Sequence, residues 1–182
     1  KGLKGFDPRN WLTGFTNYRF VVPHLAGGKG QAIYNDTDQI YLTDPAILFD
    51  IGLGRHGYLS VSPQDTSVML INCERMYQVW TLRKAQSGKR KRLEAAAMNI
   101  PDLWGPLNPT WNTRDSNYDG QTADLIHYTT IHAQPWQPSP DRYSYQHSPA
   151  RDVWFNLEDS ANDAGYHIFG PTNPSKKYLE LN

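Results

Sequence analysis

Asp36 and Asp38 follow the apolar stretch "AIYN" directly, and of all residues in the chain their type and spacing best suit metal chemistry. Side chains at positions i and i+2 of an extended strand point to the same side, so we expect the two carboxylates to lie together. Two neighbouring carboxylates repel each other unless a cation lies between them. Hard divalent ions such as Mg²⁺ and Mn²⁺ prefer oxygen ligands. The pair therefore predicts a divalent metal site.

His127, in the stretch "LIHYTT", is a candidate for the third metal ligand. It follows a second predicted strand, and ligands of α/β sheets bind beyond the carboxyl ends of the strands. Each residue also has a purely structural interpretation. The two acids suit an exposed loop or a helix cap, and a lone histidine after a strand is often a hydrogen-bonded structural residue. The combination of two acids with His127 favours the metal site.

Composition limits the class of protein. The chain has 182 residues, enough for one ordinary domain with a core, and its 18 basic and 18 acidic residues balance. Nucleic-acid partners are not expected, since they usually require a basic excess. The single cysteine, Cys73, lies in an apolar stretch and fits a reducing compartment, and no apolar run is long enough to span a bilayer. We expect a soluble, cytoplasmic protein with no membrane span.

Strands and helices alternate along the sequence, which favours an α/β fold with helices on both faces of the sheet. The predicted strands are "QAIYND", "GYLSVS", "SVMLIN" and "ADLIHYTT". Asp44 and Pro45 begin a predicted short helix in "DPAILFDI", and a longer helix is predicted from about 74 to 97. A Pro- and Asn-rich stretch after residue 100 reads as a long loop. The tail after about 140 also reads as loop, with "RDVWFNL" as its one short element.

Several segments, taken in order, resemble one known family. "YNDTDQIYLTDPAILFDI" resembles the metal-binding segment of the family-8 glycosyltransferases, the glycogenin and lipopolysaccharide galactosyltransferase family. The segments "FTNYRF", "DTSVMLIN", "PTWN" and "IHYTTIHAQPW" are similar to further family segments, and all five occur in the family's order over about residues 15–136.

The resemblance implies a GT-A fold with a mixed sheet, a nucleotide-sugar donor such as a UDP-sugar, a Mn²⁺ or Mg²⁺ cofactor, and transfer with retention of configuration. It implies Asp36, Asp38 and His127 as metal ligands, and it leaves the catalytic residues and the glycan, protein or lipid acceptor unassigned. The donor-binding residues that it implies are Arg19, Tyr34, Asp36, Asp65 and Gln134.

The sequence also departs from the family pattern. Thr130 replaces a glycine and Gln134 replaces a lysine, which removes a phosphate contact. Only fourteen residues precede residue 15, so we expect much of the N-terminal nucleotide-binding unit to be lacking. We predict a single domain over 1–182, with a core of about 15–140 and a loop-rich tail from 141 to 182.

Two other functions stay open. One is a non-catalytic module that binds a nucleotide-sugar or a glycan through a degenerate site. The other is a metal-dependent hydrolase of phosphate esters, which the Asp36–Asp38 pair would also suit, although such enzymes usually have more acidic ligands.

Overall fold

The structure is a computed structural model, and it describes residues 4–7, 9, 13, 15–130, 134–135 and 149–166. The chain divides into two compact units. The first contains Lys1–Thr37 and Thr43–Trp111, and the second contains Asp38–Leu42 and Asn112–Asn182. Both units combine helices with a small sheet that has parallel and antiparallel pairs, so the fold is mixed α/β.

The sheet of the first unit has four strands in the order β1-β4-β3-β5. Their bounds are Gln31–Asn35 (β1), Tyr58–Ser60 (β3), Val68–Asn72 (β4) and Trp104–Pro106 (β5). The β1–β4 and β3–β4 pairs are antiparallel, and the β3–β5 pair is parallel. Strand β4 is buried along almost its whole length, as its apolar, β-branched sequence predicts.

Five α-helices lie in the described residues of the first unit. They are α1 (Val22–Leu25), α2 (Ala46–Asp50), α3 (Cys73–Val79), α4 (Leu82–Ser87) and α5 (Arg90–Asn99), and a 3-10 helix at Thr16–Val21 precedes α1. The predicted helix in "DPAILFDI" is confirmed as α2, and the Asp44 carboxylate accepts a hydrogen bond from the Ala46 N–H at 2.8 Å. The core of this unit packs large side chains from the sheet and the helices, including Phe20, Tyr58, Met69, Ile71, Met76 and Trp80.

The prediction of one helix over about 74–97 is wrong, because the segment forms three short helices. The Asn72 side chain caps α3, and the Thr81 side chain caps α4 by accepting from the Lys84 N–H. Gly88 ends α4 where its backbone passes so close to the Lys84 carbonyl that a Cβ would collide with it. Local capping and this close approach therefore override the helical pattern of the whole segment.

The second unit contains a three-stranded sheet in the order β2-β7-β6. Its strands are Gln39–Tyr41 (β2), Thr113–Arg114 (β6) and Leu125–His127 (β7). Strand β2 is antiparallel to β7, and β6 is parallel to β7. A small core forms on Ile126, Tyr128 and Ala150, where Tyr128 donates to the Ala150 carbonyl at 2.6 Å.

The predicted loop regions contain more regular structure than the sequence pattern indicates. Strands β5 and β6 lie in the stretch after residue 100, which was expected to be a long loop. A fifteen-residue helix, α6 (Pro149–Asp163), extends well beyond the short element expected in "RDVWFNL". The remaining parts of the predicted tail, 141–148 and 167–182, lie outside the described residues. None of the helices in the described ranges combines the length and the apolar character that a membrane crossing requires.

Candidate metal and donor site

Asp36 and Asp38 do not lie on a strand, contrary to the expectation from their i and i+2 spacing. Strand β1 ends at Asn35, and the two acids belong to the short segment before β2. The Asp36 N–H donates to the Ser67 carbonyl at 2.9 Å within the first unit. The Asp38 carbonyl accepts from the Tyr128 N–H at 2.9 Å within the second unit. Each acid is thus positioned by a backbone hydrogen bond within its own unit.

Asp38 and His127 are brought together in the second unit. Their contact joins Asp38 Oδ1 to His127 Nε2 at 3.3 Å. The antiparallel pairing of β2 with β7 places Gln39 opposite His127, so the residue before Gln39 reaches the same end of the sheet. The tertiary structure brings these two predicted metal ligands together, because β2 and β7 are far apart in the sequence.

The other ring nitrogen of His127 also has a partner. Its Nδ1 lies 3.0 Å from Oδ1 of Asn112, the last residue of "PTWN". Asn112 is buried, and its Oδ1 also accepts from Nε2 of Gln39 at 3.4 Å. No pattern in the sequence had indicated a role for Asn112 or Gln39. The one signal for Asn112 was its place in a segment that resembles a family segment.

Asp36 is held by Arg19 and Tyr34 in the first unit. Arg19 Nη2 donates to the two carboxylate oxygens at 2.9 and 3.3 Å, and the Tyr34 hydroxyl donates to Oδ1 at 2.5 Å. Burial raises the pKa of Tyr34, so its phenol keeps the proton that it donates. The guanidinium of Arg19 also lies over the Tyr34 ring, 5.2 Å from its centre. These three predicted site residues therefore form one hydrogen-bonded group.

A series of hydrogen-bonded polar side chains holds Arg19 in place. Its Nη1 donates to the carbonyl and the hydroxyl of Thr66 at 2.9 and 3.2 Å. The Thr66 hydroxyl donates to Glu94 at 3.1 Å, and Arg90 donates to the same oxygen of Glu94 at 2.6 Å. Glu94 is buried, so its charge is compensated by Arg90 where water is excluded. Thr66 and Glu94 could not be predicted from the sequence, since no local pattern marks them.

Asp65 and Gln134, the remaining predicted donor contacts, both hydrogen-bond to nearby groups of the protein. The Asp65 carboxylate accepts from the hydroxyl of Ser67 and, at 3.3 Å, from its N–H. Gln134 is buried and donates from Nε2 to the Tyr128 carbonyl at 2.8 Å. Residues 131–133 and 136 of the same sequence segment lie outside the described residues.

Asp115 fixes the chain just after β7. Its carboxylate accepts from the N–H groups and the hydroxyls of Thr129 and Thr130, at distances of 3.2 to 3.4 Å. Asp115 is itself buried. Thr129 and Thr130, which follow His127, are therefore both held by one buried carboxylate, which no sequence pattern indicated.

Comparison with known proteins identifies solved structures that have a similar fold. The sequence matches no protein-family model and no curated protein. Its structure is similar to the apo form of the glycosyltransferase GlyE of Streptococcus pneumoniae TIGR4, with a TM-score of 0.54 and 16% identity over 79% of this chain. It is also similar to an active-site mutant of LgtC, with a TM-score of 0.57 and 14% identity over 86% of this chain. The chain has a GT-A glycosyltransferase fold.

The extent of the similarity differs between these structures. This chain spans 43% of the GlyE chain and 71% of the LgtC mutant chain. A structure of the galactosyltransferase LgtC in complex with donor and acceptor sugar analogues matches 98% of this chain and 75% of its own, with a TM-score of 0.53 and 13% identity. The GT-A fold thus confirms the fold class that the sequence resemblance implied.

Proposed function

We propose that this chain is the core of a metal-dependent glycosyltransferase that moves a sugar from a nucleotide-sugar donor, a UDP-sugar, to an acceptor. The observation that supports it most is the contact of Asp38 with His127 in a chain with a GT-A fold. We further propose the family-8 type of reaction, in which the configuration of the transferred sugar is retained. The cytoplasmic location expected from the single cysteine stays a prediction.

Asp36, Asp38 and His127 are the residues that would hold the metal, each offering one ligand atom. Two carboxylates and one neutral imidazole suit Mn²⁺ or Mg²⁺. Adjacent ligands on an octahedral ion at roughly 2.1 Å are about 3 Å apart, and the Asp38–His127 contact of 3.3 Å is close to that value. A divalent ion there would neutralise the negative charge that grows on a departing nucleoside diphosphate.

Arg19 and Tyr34 would contribute to donor binding indirectly, by holding Asp36 in position. One guanidinium nitrogen and a phenol hold the carboxylate in one orientation, so that it is already positioned when the metal and the donor bind. Asp65 and Gln134 stay predictions as donor contacts.

A second candidate is a binding module that holds a nucleotide-sugar or a glycan without turnover. One specific observation favours it. Gln134, at the position where the resemblance expects a phosphate-binding lysine, is buried and donates to the Tyr128 carbonyl. A neutral amide engaged with the backbone cannot replace the charge of a lysine on a diphosphate.

Calorimetric titration of UDP, with and without Mn²⁺, tests the metal site. We expect Mn²⁺-dependent binding to the native chain, no binding to Asp38→Ala, and unchanged binding to Asp50→Ala, a matched loss of an exposed acid. Absence of UDP binding to the native chain in both conditions would contradict the proposal.

Release of sugar from a UDP-sugar then separates the two candidates. A glycosyltransferase core should slowly hydrolyse the donor or transfer its sugar to added acceptors in the presence of Mn²⁺. A binding module should retain the donor intact while still binding it in the calorimeter.

A further inference from the structure

The His127 ring lies between two polar side chains of the second unit, those of Asn112 and Asp38. The pairing of β7 with β2 and β6 aligns His127 with Gln39 on one side and Arg114 on the other. Asn112 immediately precedes β6, and its side chain reaches the ring from the side opposite to Asp38. Each ring nitrogen thus faces a different oxygen, Nδ1 the amide of Asn112 and Nε2 the carboxylate of Asp38.

The chemistry of the amide oxygen decides where the imidazole proton lies. An amide oxygen can only accept a hydrogen bond, so the 3.0 Å contact between Asn112 Oδ1 and His127 Nδ1 requires a proton on Nδ1. In a neutral imidazole the other nitrogen, Nε2, then carries a lone pair.

Gln39 also hydrogen-bonds to the Asn112 amide. Its Nε2 group donates to the same Oδ1 at 3.4 Å, so the oxygen of Asn112 serves both Gln39 and His127. Rotating the Asn112 amide alone would set its NH₂ group against the NH₂ group of Gln39, where two donors would face each other. Gln39 and Asn112 therefore act together on the imidazole.

The consequence appears at Nε2. With the proton on Nδ1, the lone pair of Nε2 faces Asp38 Oδ1 at 3.3 Å, and two acceptors at that distance repel each other. A cation that accepts both lone pairs relieves the repulsion. We propose that Asn112 is a positioning residue that fixes the proton of His127 on Nδ1 and so leaves Nε2 ready to bind the metal. This inference rests on the proposed metal site.

The first test measures the tautomer on the metal-free native chain. Long-range ¹H–¹⁵N NMR at about pH 8.5, where an ordinary imidazole is neutral, gives the shifts of both ring nitrogens. The His127 signals are assigned by their loss in His127→Gln. We expect the Nδ1–H tautomer. A predominant Nε2–H tautomer would overturn the proposal.

The second test compares three variants. In Asn112→Ala we expect mixed tautomers and a Mn²⁺ affinity lower by about 10- to 100-fold, the usual effect of removing a hydrogen-bond partner of a ligating histidine. Asn112→Asp keeps an acceptor at the same place, so it should retain the Nδ1–H tautomer and most of the affinity. Asn117→Ala, an exposed asparagine in the same unit, should match the native chain in both measurements.

The two readouts distinguish the possible failures. If the native chain binds no Mn²⁺ but shows the Nδ1–H tautomer, which Asn112→Ala loses, the metal site fails and the positioning role stands. If Asn112→Ala keeps the native tautomer, the positioning role fails whatever the metal affinity. Asn112 is buried, so unfolding curves confirm that the variants are folded. If Asn112→Ala does not fold, loss of the Nδ1–H tautomer in Gln39→Ala supports the proposal and its persistence contradicts it.

Discussion

Arg19 donates from a single guanidinium nitrogen to both carboxylate oxygens of Asp36, at 2.9 and 3.3 Å. The Arg19 side chain is only 4% exposed and that of Asp36 18% exposed. The other guanidinium nitrogens of Arg19 donate to the carbonyls of Thr16 and Thr66. An arginine so fully engaged by the protein would act on the proposed donor mainly through the carboxylate that it holds.

We expect Arg19→Lys to destabilise the chain by about 2 kcal/mol, because a lysine cannot form the forked contacts with Asp36 and Thr66. Urea unfolding measures this free energy, and the affinity for Mn²⁺ should fall in the same variant. Arg55→Lys is the matched control, since Arg55 is 75% exposed and pairs with Asp102 at the surface. Equal stability of the two variants would contradict the structural role of Arg19.

The anchor after β7 can be tested with Asp115→Asn. An asparagine can keep the three contacts that Oδ1 accepts, but its NH₂ group would replace Oδ2 and face the Thr130 N–H, so we expect a loss of about 1 kcal/mol in the free energy of unfolding. In Asp119→Asn no measurable change is expected, because the exposed Asp119 uses one oxygen to accept two N–H groups, as an asparagine also can. A comparable effect of both substitutions would argue against the anchor.

The contribution of strand β4 to the hydrophobic core can be tested by substitution. Ile71 is fully buried, and Ile71→Ala should lower the free energy of unfolding by about 2–5 kcal/mol through lost burial and the cavity left behind. Ile47→Ala removes the same atoms from a residue that is 50% exposed and should cost much less. Thermal and urea unfolding give both values. The assignment of β4 to the core fails if the two substitutions cost the same.

Alkaline conditions should destabilise the folded chain. Burial raises the pKa of both Tyr58 and Tyr128 above that of an ordinary tyrosine. The unfolded chain ionises these phenols near pH ~10 and the folded chain does so only at higher pH, so their contribution is fully present below about pH 10 and is lost above it. Urea unfolding from about pH 8 to about pH 11 measures this loss. The free energy of unfolding should fall less steeply with pH in Tyr128→Phe than in the native chain. An identical fall in both proteins would contradict the prediction.

The local elements of the first unit were largely predictable. The strands β1 and β4 are apolar runs bounded by polar residues, and α2 begins at an Asp-Pro pair, so short-range chemistry suffices to indicate them. Strand β5 was not predictable in this way. It has three residues, ends in Pro106, and exists because it pairs in parallel with β3, a contact that no local pattern records.

The candidate site, too, was predictable from the sequence only in part. The types and the order of the residues, two acids directly after an apolar strand and a histidine after another, are properties of the sequence, and they were enough to predict a metal site. The resemblance of further segments to a known family predicted the glycosyltransferase fold. Only the tertiary structure decided which atom faces which: Asp38 against Nε2 of His127, Asn112 against Nδ1, and Arg19 against Asp36. These contacts depend on strand register and on burial. Both arise from interactions between segments distant in sequence, so the spacing of residues along the chain cannot specify them.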